Sequence, residues 1–300
     1  MSRGPEEGRP PIHAGLAWLD ETLAGRAWLA RLPRLVDECV DQWSLRIGDA
    51  FPYAFASLAL PATLPDGGGA VLKVQFPDRE SEHEAAALAR WNGDGAVRLL
   101  AHDHQRHALL LERCEPGTPL SELEEDDALD VIIALLPRLW KPAGEPFRSL
   151  ADEAAWWAEY LPENWARAGK PFERGLLDEV LAVLESLPGS QGERVLLSQD
   201  LHANNVLRAS RAPWLVIDPK PLVGEREFSV AAVVRGDELG RGPSHVRHRL
   251  DRLTGELGLD RSRARGWALA QALAWAVGGD DLDDEFDQSQ VETARWLLDA

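Results

Sequence analysis

Residues 195–225 read VLLSQDLHANNVLRASRAPWLVIDPKPLVGE, and the rest of the chain is organised around them. A short apolar run, Val195-Leu196-Leu197, gives way to the polar segment 198–205 and then to Val206-Leu207. After a turn over 208–213, a second run, Trp214-Leu215-Val216-Ile217, stops at Asp218-Pro219. Short apolar runs bounded by Ser, Arg and Pro predict buried strands. A carboxylate stands where each strand stops, and strand ends are where a rigid scaffold holds a polar loop over a cleft. Asp200, Asn205 and Asp218 are therefore expected to converge. One carboxylate can take a proton from a hydroxyl, while the amide and the second carboxylate offer hard oxygens to Mg2+. Any one of these residues alone is more simply a turn former. Together they follow the spacing of a kinase catalytic loop with a strand-terminal Asp beyond it, which points to phosphoryl transfer.

Three hundred residues suit one large domain or two lobes, and twelve Trp within a 45% apolar composition can fill a substantial core. No apolar stretch approaches a membrane span, and the polar, Pro-rich start MSRGPEEGRPP is unlike a signal peptide. Cys39 and Cys114 are far apart and lack metal-ligand spacing, so free thiols in a reducing cytoplasm are expected. A net charge of −18 argues against nucleic-acid binding, which needs a basic face. It suits a cationic small molecule, or else is simply a solvated acidic surface. A monomer with no nucleic-acid or membrane partner is the expectation.

Residues 1–11 read as disordered. Over 12–43 apolar residues recur at helical spacing, with breaks expected at Gly25 and Pro33, hence two helices. Residues 43–48 and 54–60 read as strands. Pro65-Asp66-Gly67-Gly68-Gly69 signals a hairpin, and no helix follows it, so it is not a phosphate-binding loop. The connection 48–57 is the better place for a nucleotide-covering loop. In strand 71–76, alternation puts Leu72, Val74 and Phe76 on one face and Val71, Lys73 and Gln75 on the other. A lysine among apolar neighbours is costly to bury unless it meets an anion. Helix 79–91 offers Glu84, and a strand lysine with a helix glutamate is how kinases hold nucleotide phosphates; the simpler alternative is a surface Lys and a solvated Glu.

Strands are expected at 96–101 and 107–112. His83, His102, His104 and His107 lack metal-site patterning and read as loop histidines. A Pro-Gly break near 116 marks the boundary between domains 1–115 and 116–300, residues 1–42 being a helical extension of the first. Backbone groups at Glu112 and Cys114 are placed to meet an adenine edge. Beyond the break helices dominate: 118–125, 126–140, 149–160 and 172–187 before the central motif, then 227–235, 244–257, 261–277 and 285–298. The acidic run 280–287 reads as a solvated loop and helix start, with substrate-cation binding as the alternative.

Leu72-Lys73-Val74, His83-Glu84-Ala85-Ala86, Leu110-Leu111-Glu112-Arg113, Gln199-Asp200-Leu201-His202 with Asn205-Val206-Leu207, and Val216-Ile217-Asp218-Pro219-Lys220-Pro221 together resemble the aminoglycoside phosphotransferase-like kinases. Within them the chain is most similar to the streptomycin 6-kinase/hydroxyurea phosphotransferase branch, over about residues 43–234. The resemblance implies an α+β, two-lobed protein-kinase-like fold, with an N-terminal antiparallel sheet lobe and a mainly helical C-terminal lobe. It also implies ATP and Mg2+, with Asp200 as catalytic base and Asn205 and Asp218 as metal ligands. Lys73 would lie on the ATP phosphates and Glu84 would orient it. Ser198 departs from the family, which usually has His there, so a contact from that side chain to the catalytic loop is in question, a Ser hydroxyl being the alternative donor. Asn204 stands where Gly or an acidic residue is common. Asp218 is followed by Pro219 and no Ala-Pro-Glu segment comes after it, which favours a small-molecule acceptor.

The expected activity is ATP-dependent phosphorylation of a hydroxyl on an aminoglycoside such as streptomycin, a related antibiotic, or an amino sugar or other metabolite. His202 is expected to brace the loop rather than move protons. Two rivals are a nucleotide-binding module without turnover and a metal-dependent hydrolase using Asp200, His202 and Asp218. Candidates for the acceptor pocket are Asp152, Glu153, Trp156, Trp157 and Glu227, whose carboxylates could pair with guanidinium or ammonium groups.

Overall fold

The computed structural model describes residues 14–52, 55–277 and 286–300. Two compact units emerge: one reaches Gly93 and takes in Val97–Cys114, and the other holds Asp94–Ala96 and Glu115–Ala300. The expectations for residues 1–11 and for 280–285 lie outside the described residues, as do Tyr53 and Ala54 in the connection 48–57.

The first unit begins with a 3-10 helix, Ala14–Glu21, and then α1, Leu23–Trp43. The strands β1 (Arg46–Ile47), β2 (Ser57–Thr63), β3 (Gly69–Gln75), β4 (Leu99–Asp103) and β5 (Ala108–Glu112) form an antiparallel sheet in the order β1-β2-β3-β5-β4. Helix α2, Glu84–Trp91, lies in sequence between β3 and β4. The alternation expected in β3 holds. Leu72 and Val74 are fully buried with Leu58, Leu60, Ala108 and Leu110 against Leu16, Leu19, Trp28, Leu32 and Val36 of the two N-terminal helices. Lys73 and Gln75 therefore take the opposite face. The hairpin at 65–69 also holds: Leu64 N–H donates to Gly68 O at 2.8 Å, and Gly67 takes φ +91°.

Several boundaries differ from the sequence reading, each for a local reason. Pro33 does not break α1; the helix runs through it because Leu32, Leu35, Val36 and Cys39 bury on the sheet. The break comes earlier, at Thr22, whose side chain caps α1 by accepting Gly25 N–H at 2.9 Å. Gly25 is a point of close approach, since a Cβ there would stand 2.0 Å from Leu19 O. The strand expected over 43–48 shrinks to two residues, because α1 continues to Trp43 and Ser44 ends it in the left-handed region, φ +52°. Helix α2 starts only at Glu84. Asp78 Oδ1 accepts from the N–H groups of Glu80 and Ser81, both at 2.7 Å, and this local turn competes with helix there. Ala96 leaves its expected strand and bridges Val216 in the second unit, where Val216 N–H donates to Gly95 O.

In the second unit the helix expected over 118–125 is reduced to a 3-10 turn, Leu120–Glu122. Thr118 O accepts from Arg208 N–H and Pro119 bridges Leu207, so this stretch is extended alongside the hairpin. The helices are α3 (Glu125–Leu139), α4 (Leu150–Arg167), α5 (Arg174–Ser186), α6 (Ala231–Arg235), α7 (Pro243–Leu257), α8 (Arg261–Ala276) and α9 (Gln288–Leu298). The strands pair as two antiparallel ribbons: β6 (Arg194–Ser198) with β9 (Pro221–Glu225), and β7 (Val206–Arg208) with β8 (Trp214–Val216). Nearly every side of α8 is buried, with Trp267, Leu269, Ala270 and Leu273 in the core, as befits a central helix. Buried Glu225, at the end of β9, ties that helix to the ribbon by accepting from Trp267 Nε1 at 2.5 Å and from Arg263 Nε and Nη2 at 2.8 Å. Among the described residues no helix is long and apolar enough to cross a membrane.

Candidate active site

Both ribbons of the second unit end at one loop. Past Ser198, Gln199 N–H donates to Lys220 O at 3.0 Å; past Val206, Ile217 N–H donates to Asn205 O at 2.9 Å. Residues 199–205 are thus held between two ribbon ends, and the strand-end carboxylates Asp200 and Asp218 arrive there with Asn205. The loop also closes on itself. His202 N–H donates to Asp200 O, Asn205 N–H to His202 O, and Asn205 Nδ2 to Asp200 O at 3.0 Å. That last bond engages the Asn205 amide through its nitrogen, and the amide oxygen has no partner among the described residues. Asp218 takes φ +48°, a left-handed backbone rare for residues other than Gly, Asn and Asp.

One amide oxygen and one carboxylate are a sparse donor set. Among the described residues no group of three or more His, Cys, Asp or Glu could hold a metal ion. Hard oxygens in that small number fit Mg2+, which is usually carried by one or two carboxylates plus substrate phosphates and water. The hydrolase reading, which needs His202 as a ligand, gains no support, since both its ring nitrogens face carboxylates.

Asp200 sits among cations. Its Oδ1 lies 3.7 Å from Arg235 Nη2 and 3.9 Å from His202 Nε2, and its Oδ2 lies 3.5 Å from Lys220 Nζ. All three exceed the roughly 2.7–2.9 Å of a charge-assisted hydrogen bond. The carboxylate is held by charge while its lone pairs stay open to an incoming hydroxyl.

His202 braces the loop, as expected, and its partner is one the sequence did not reveal. Glu238 Oε1 lies 3.4 Å from His202 Nδ1 and accepts Ala203 N–H at 2.8 Å. Burial works against a charged His202 imidazole, but the Glu238 bond and the Asp200 charge outweigh it and leave its pKa raised. Burial likewise opposes a charged Glu238. The His202 bond and charge and the N–H groups of Glu238 and Ala203 reverse this, holding the carboxyl at about 2. Residues 236–240 are in turn clamped by fully buried Arg249, which donates to the carbonyls of Gly236 and Gly240 and to Glu125 Oε1. Ser198 does not replace that contact: its hydroxyl is buried with no partner among the described residues. Bracing comes instead from α8, where Gln271 Nε2 donates to Gln199 O at 2.7 Å.

In the first unit Lys73 and Glu84 meet, Nζ to Oε2 at 2.6 Å, both buried. Gln75, two residues along the same strand face, donates to the same oxygen at 2.6 Å. Glu112 donates its N–H to Arg98 O at 2.9 Å, which removes that donor from any adenine contact. Half-buried Cys114 lies two residues beyond, past the end of β5.

The acceptor candidates scatter. Trp157 is core, packed on Phe228 and Trp275, and Glu153 is fully buried in an ion pair with Arg148. Asp152 accepts from Ser149 at the start of α4, half-buried Trp156 packs edge-on against Tyr160, and Glu227 accepts Asp260 N–H at 3.3 Å. Glu153 and Trp157 are thereby corrected from pocket to structural residues, as burial of a carboxylate beside Arg and of Trp in a helical core requires.

Solved structures share this fold at low identity. A thermostable aminoglycoside phosphotransferase in a ternary complex with ADP and hygromycin B matches with TM-score 0.60 at 16% identity, over 87% of this chain and 97% of that one. Choline kinase LicA from Streptococcus pneumoniae matches with TM-score 0.61 at 12% identity, over 90% and 100%. The protein thus has the protein-kinase-like fold of small-molecule phosphotransferases. More particularly, it belongs to the aminoglycoside/hydroxyurea antibiotic resistance kinase family, whose model matches residues 42–281. It is 41% identical to a streptomycin 6-kinase of Streptomyces glaucescens over 91% of both chains. It is 40% identical to a hydroxyurea phosphotransferase of Kitasatospora aureofaciens, over 92% of this chain and 81% of that one. The protein is a kinase that phosphorylates a small molecule from ATP.

Proposed function

We propose that the acceptor is a streptomycin-like aminoglycoside, phosphorylated on one hydroxyl. The observation that carries the site assignment is the Asn205 amide: tied to Asp200 O through nitrogen, it offers its oxygen at the ribbon end that also delivers Asp218. Asn205 and Asp218 would hold Mg2+, which when bound supplies charge neutralisation to the transferring phosphates. Lys73, fixed by Glu84 and Gln75, would hold the nucleotide phosphates, and the backbone near Glu112 and Cys114 would meet the adenine. Asp200 takes the proton of the acceptor hydroxyl as its oxygen bonds to the γ-phosphorus. The bond from that phosphorus to the bridging oxygen breaks, and ADP leaves with the electron pair. Alignment and charge supply most of the rate.

The net charge of −18 supports a cationic acceptor, and two thiols, Cys39 and Cys114, support a cytoplasmic setting. The relative named for hydroxyurea gives a second acceptor its own observation. The test is an ATP-consumption screen over streptomycin, other aminoglycosides, hydroxyurea and amino sugars, with mass spectrometry of the product. Phosphorylated streptomycin is expected. Product from hydroxyurea or an amino sugar alone overturns the aminoglycoside assignment, and nucleotide binding without any product favours the sensor.

A further inference from the structure

Three buried polar side chains behind Asp200 have no part in the chemistry above. Arg235, at the end of α6, is buried, as are Gln271 on α8 and Gln290 on α9. Arg235 Nε donates to Gln271 Oε1 at 2.9 Å and Nη1 to Gln290 Oε1 at 3.3 Å, while the guanidinium carbon lies 4.8 Å from the centre of the Trp275 ring. Its third nitrogen, Nη2, faces Asp200 Oδ1 at 3.7 Å. Gln271 also grips the carbonyl of Gln199, next to Asp200 in the chain. One glutamine therefore sets both the backbone that carries the carboxylate and the cation that faces it.

The chemistry of the clamp is informative. Burying a guanidinium is costly without good partners, so its place needs a reason. Two amide oxygens meet the planar fork and an indole lies against it, which fixes the plane of the group. Both amides are uncharged, so they fix the arginine without cancelling its charge. A lysine lacks the fork and could not be held in this way. At 3.7 Å the charge orients Asp200 Oδ1 without taking the lone pair that a hydroxyl proton needs, while Lys220 draws Oδ2 from the other side.

We infer that Arg235 is a positioning residue for Asp200, and that α8 and α9 aim the base through Gln271, Gln290 and Trp275. The inference rests on the reading of Asp200 as the base, and a double-mutant cycle separates the two. The acceptor is the one the screen returns, streptomycin in the first instance, and kcat and the KM for ATP are measured for Arg235→Met, Asp200→Asn and the pair. Arg235→Met is expected to lower kcat by about tenfold to a hundredfold with KM for ATP unchanged, the scale of a misplaced catalytic group. In the Asp200→Asn background the same change is expected to lower kcat no further. A full additional loss in that background overturns the inference, because Arg235 would then act on something other than Asp200. Unchanged kcat in Arg235→Met, with Asp200→Asn crippled, also overturns it and leaves the base assignment standing. Full turnover in Asp200→Asn removes both. If Arg235→Met does not fold, Gln290→Met decides: a severalfold fall in kcat, absent in the Asp200→Asn background, is expected, and parental turnover overturns the inference.

Discussion

At the scale of single residues, the proposed base stands apart from the charges around it. Asp200 is ringed by Arg235, Lys220 and His202 at 3.5–3.9 Å, close enough to orient its carboxylate and too far to occupy its lone pairs. Asp200→Asn keeps size and shape but cannot take a proton. It is expected to bind ATP as before and to turn over about a hundredfold more slowly or worse, measured by nucleotide titration beside steady-state kinetics. Glu238 makes a separate prediction. Its carboxyl falls from 4.5 to about 2 on folding, so the stability it contributes is present above pH 4.5 and is lost as pH falls toward 2. The shift corresponds to about 3 kcal/mol. In unfolding curves taken at a series of pH values, Glu238→Gln should cost most above pH 4.5 and converge on the parent near pH 2. A cost that stays constant over that range would mean the carboxylate charge is not what Glu238 contributes.

At the scale of elements, the outcome turns on how far each contact reaches along the chain. The β3 alternation and the two ribbons were legible because strand period and turn residues are local. Lys73 was legible for the same reason: a lone cation in an apolar strand calls for an anion, and Glu84 lies only eleven residues on. Gln75 shared that strand face and could have been placed with it. Glu238 was not legible, since an acidic residue in a Gly-rich turn carries no mark of a partner 35 residues earlier. Gln271 did carry one, a lone amide in the apolar helix sequence ALAQALAWA, where burial obliges it to find a partner. Helix α1 was misread because Pro33 punctuates locally, while packing on the sheet is decided elsewhere. Gly25 turns that error into a test. In an exposed helix Gly→Ala gains about 1 kcal/mol, but here the added carbon would lie 2.0 Å from Leu19 O. The clash should win, with Gly25→Ala losing about 1–3 kcal/mol by denaturant midpoint. A raised midpoint would show that the 3-10 helix does not pack so tightly on α1.

At the scale of the whole molecule, the family model matches residues 42–281, and the N-terminal 3-10 helix and α9, like most of α1, lie outside that span. Both are nevertheless integral, the first through Leu16 and Leu19 in the sheet core and the second through buried Val291, Ala294 and Leu297. Nucleotide binding should appear in the stability of the full chain. ATP with Mg2+ at a hundred times its Kd stabilises by about 2.7 kcal/mol, which should raise Tm by several degrees, and chelating the metal should reverse most of the rise. An identical shift with chelator present would show that Asn205 and Asp218 hold no ion in the complex. The backbone of Asp218, finally, restricts what can replace it. Its left-handed geometry penalises a side chain such as Val by roughly 1–2 kcal/mol yet admits Asn easily. Asp218→Val should therefore melt earlier than the parent, whereas Asp218→Asn should melt with it and have lost its catalysis. A single base separates every Asp codon from one for Asn, so the gene stands one transition away from encoding a well-folded protein that modifies nothing.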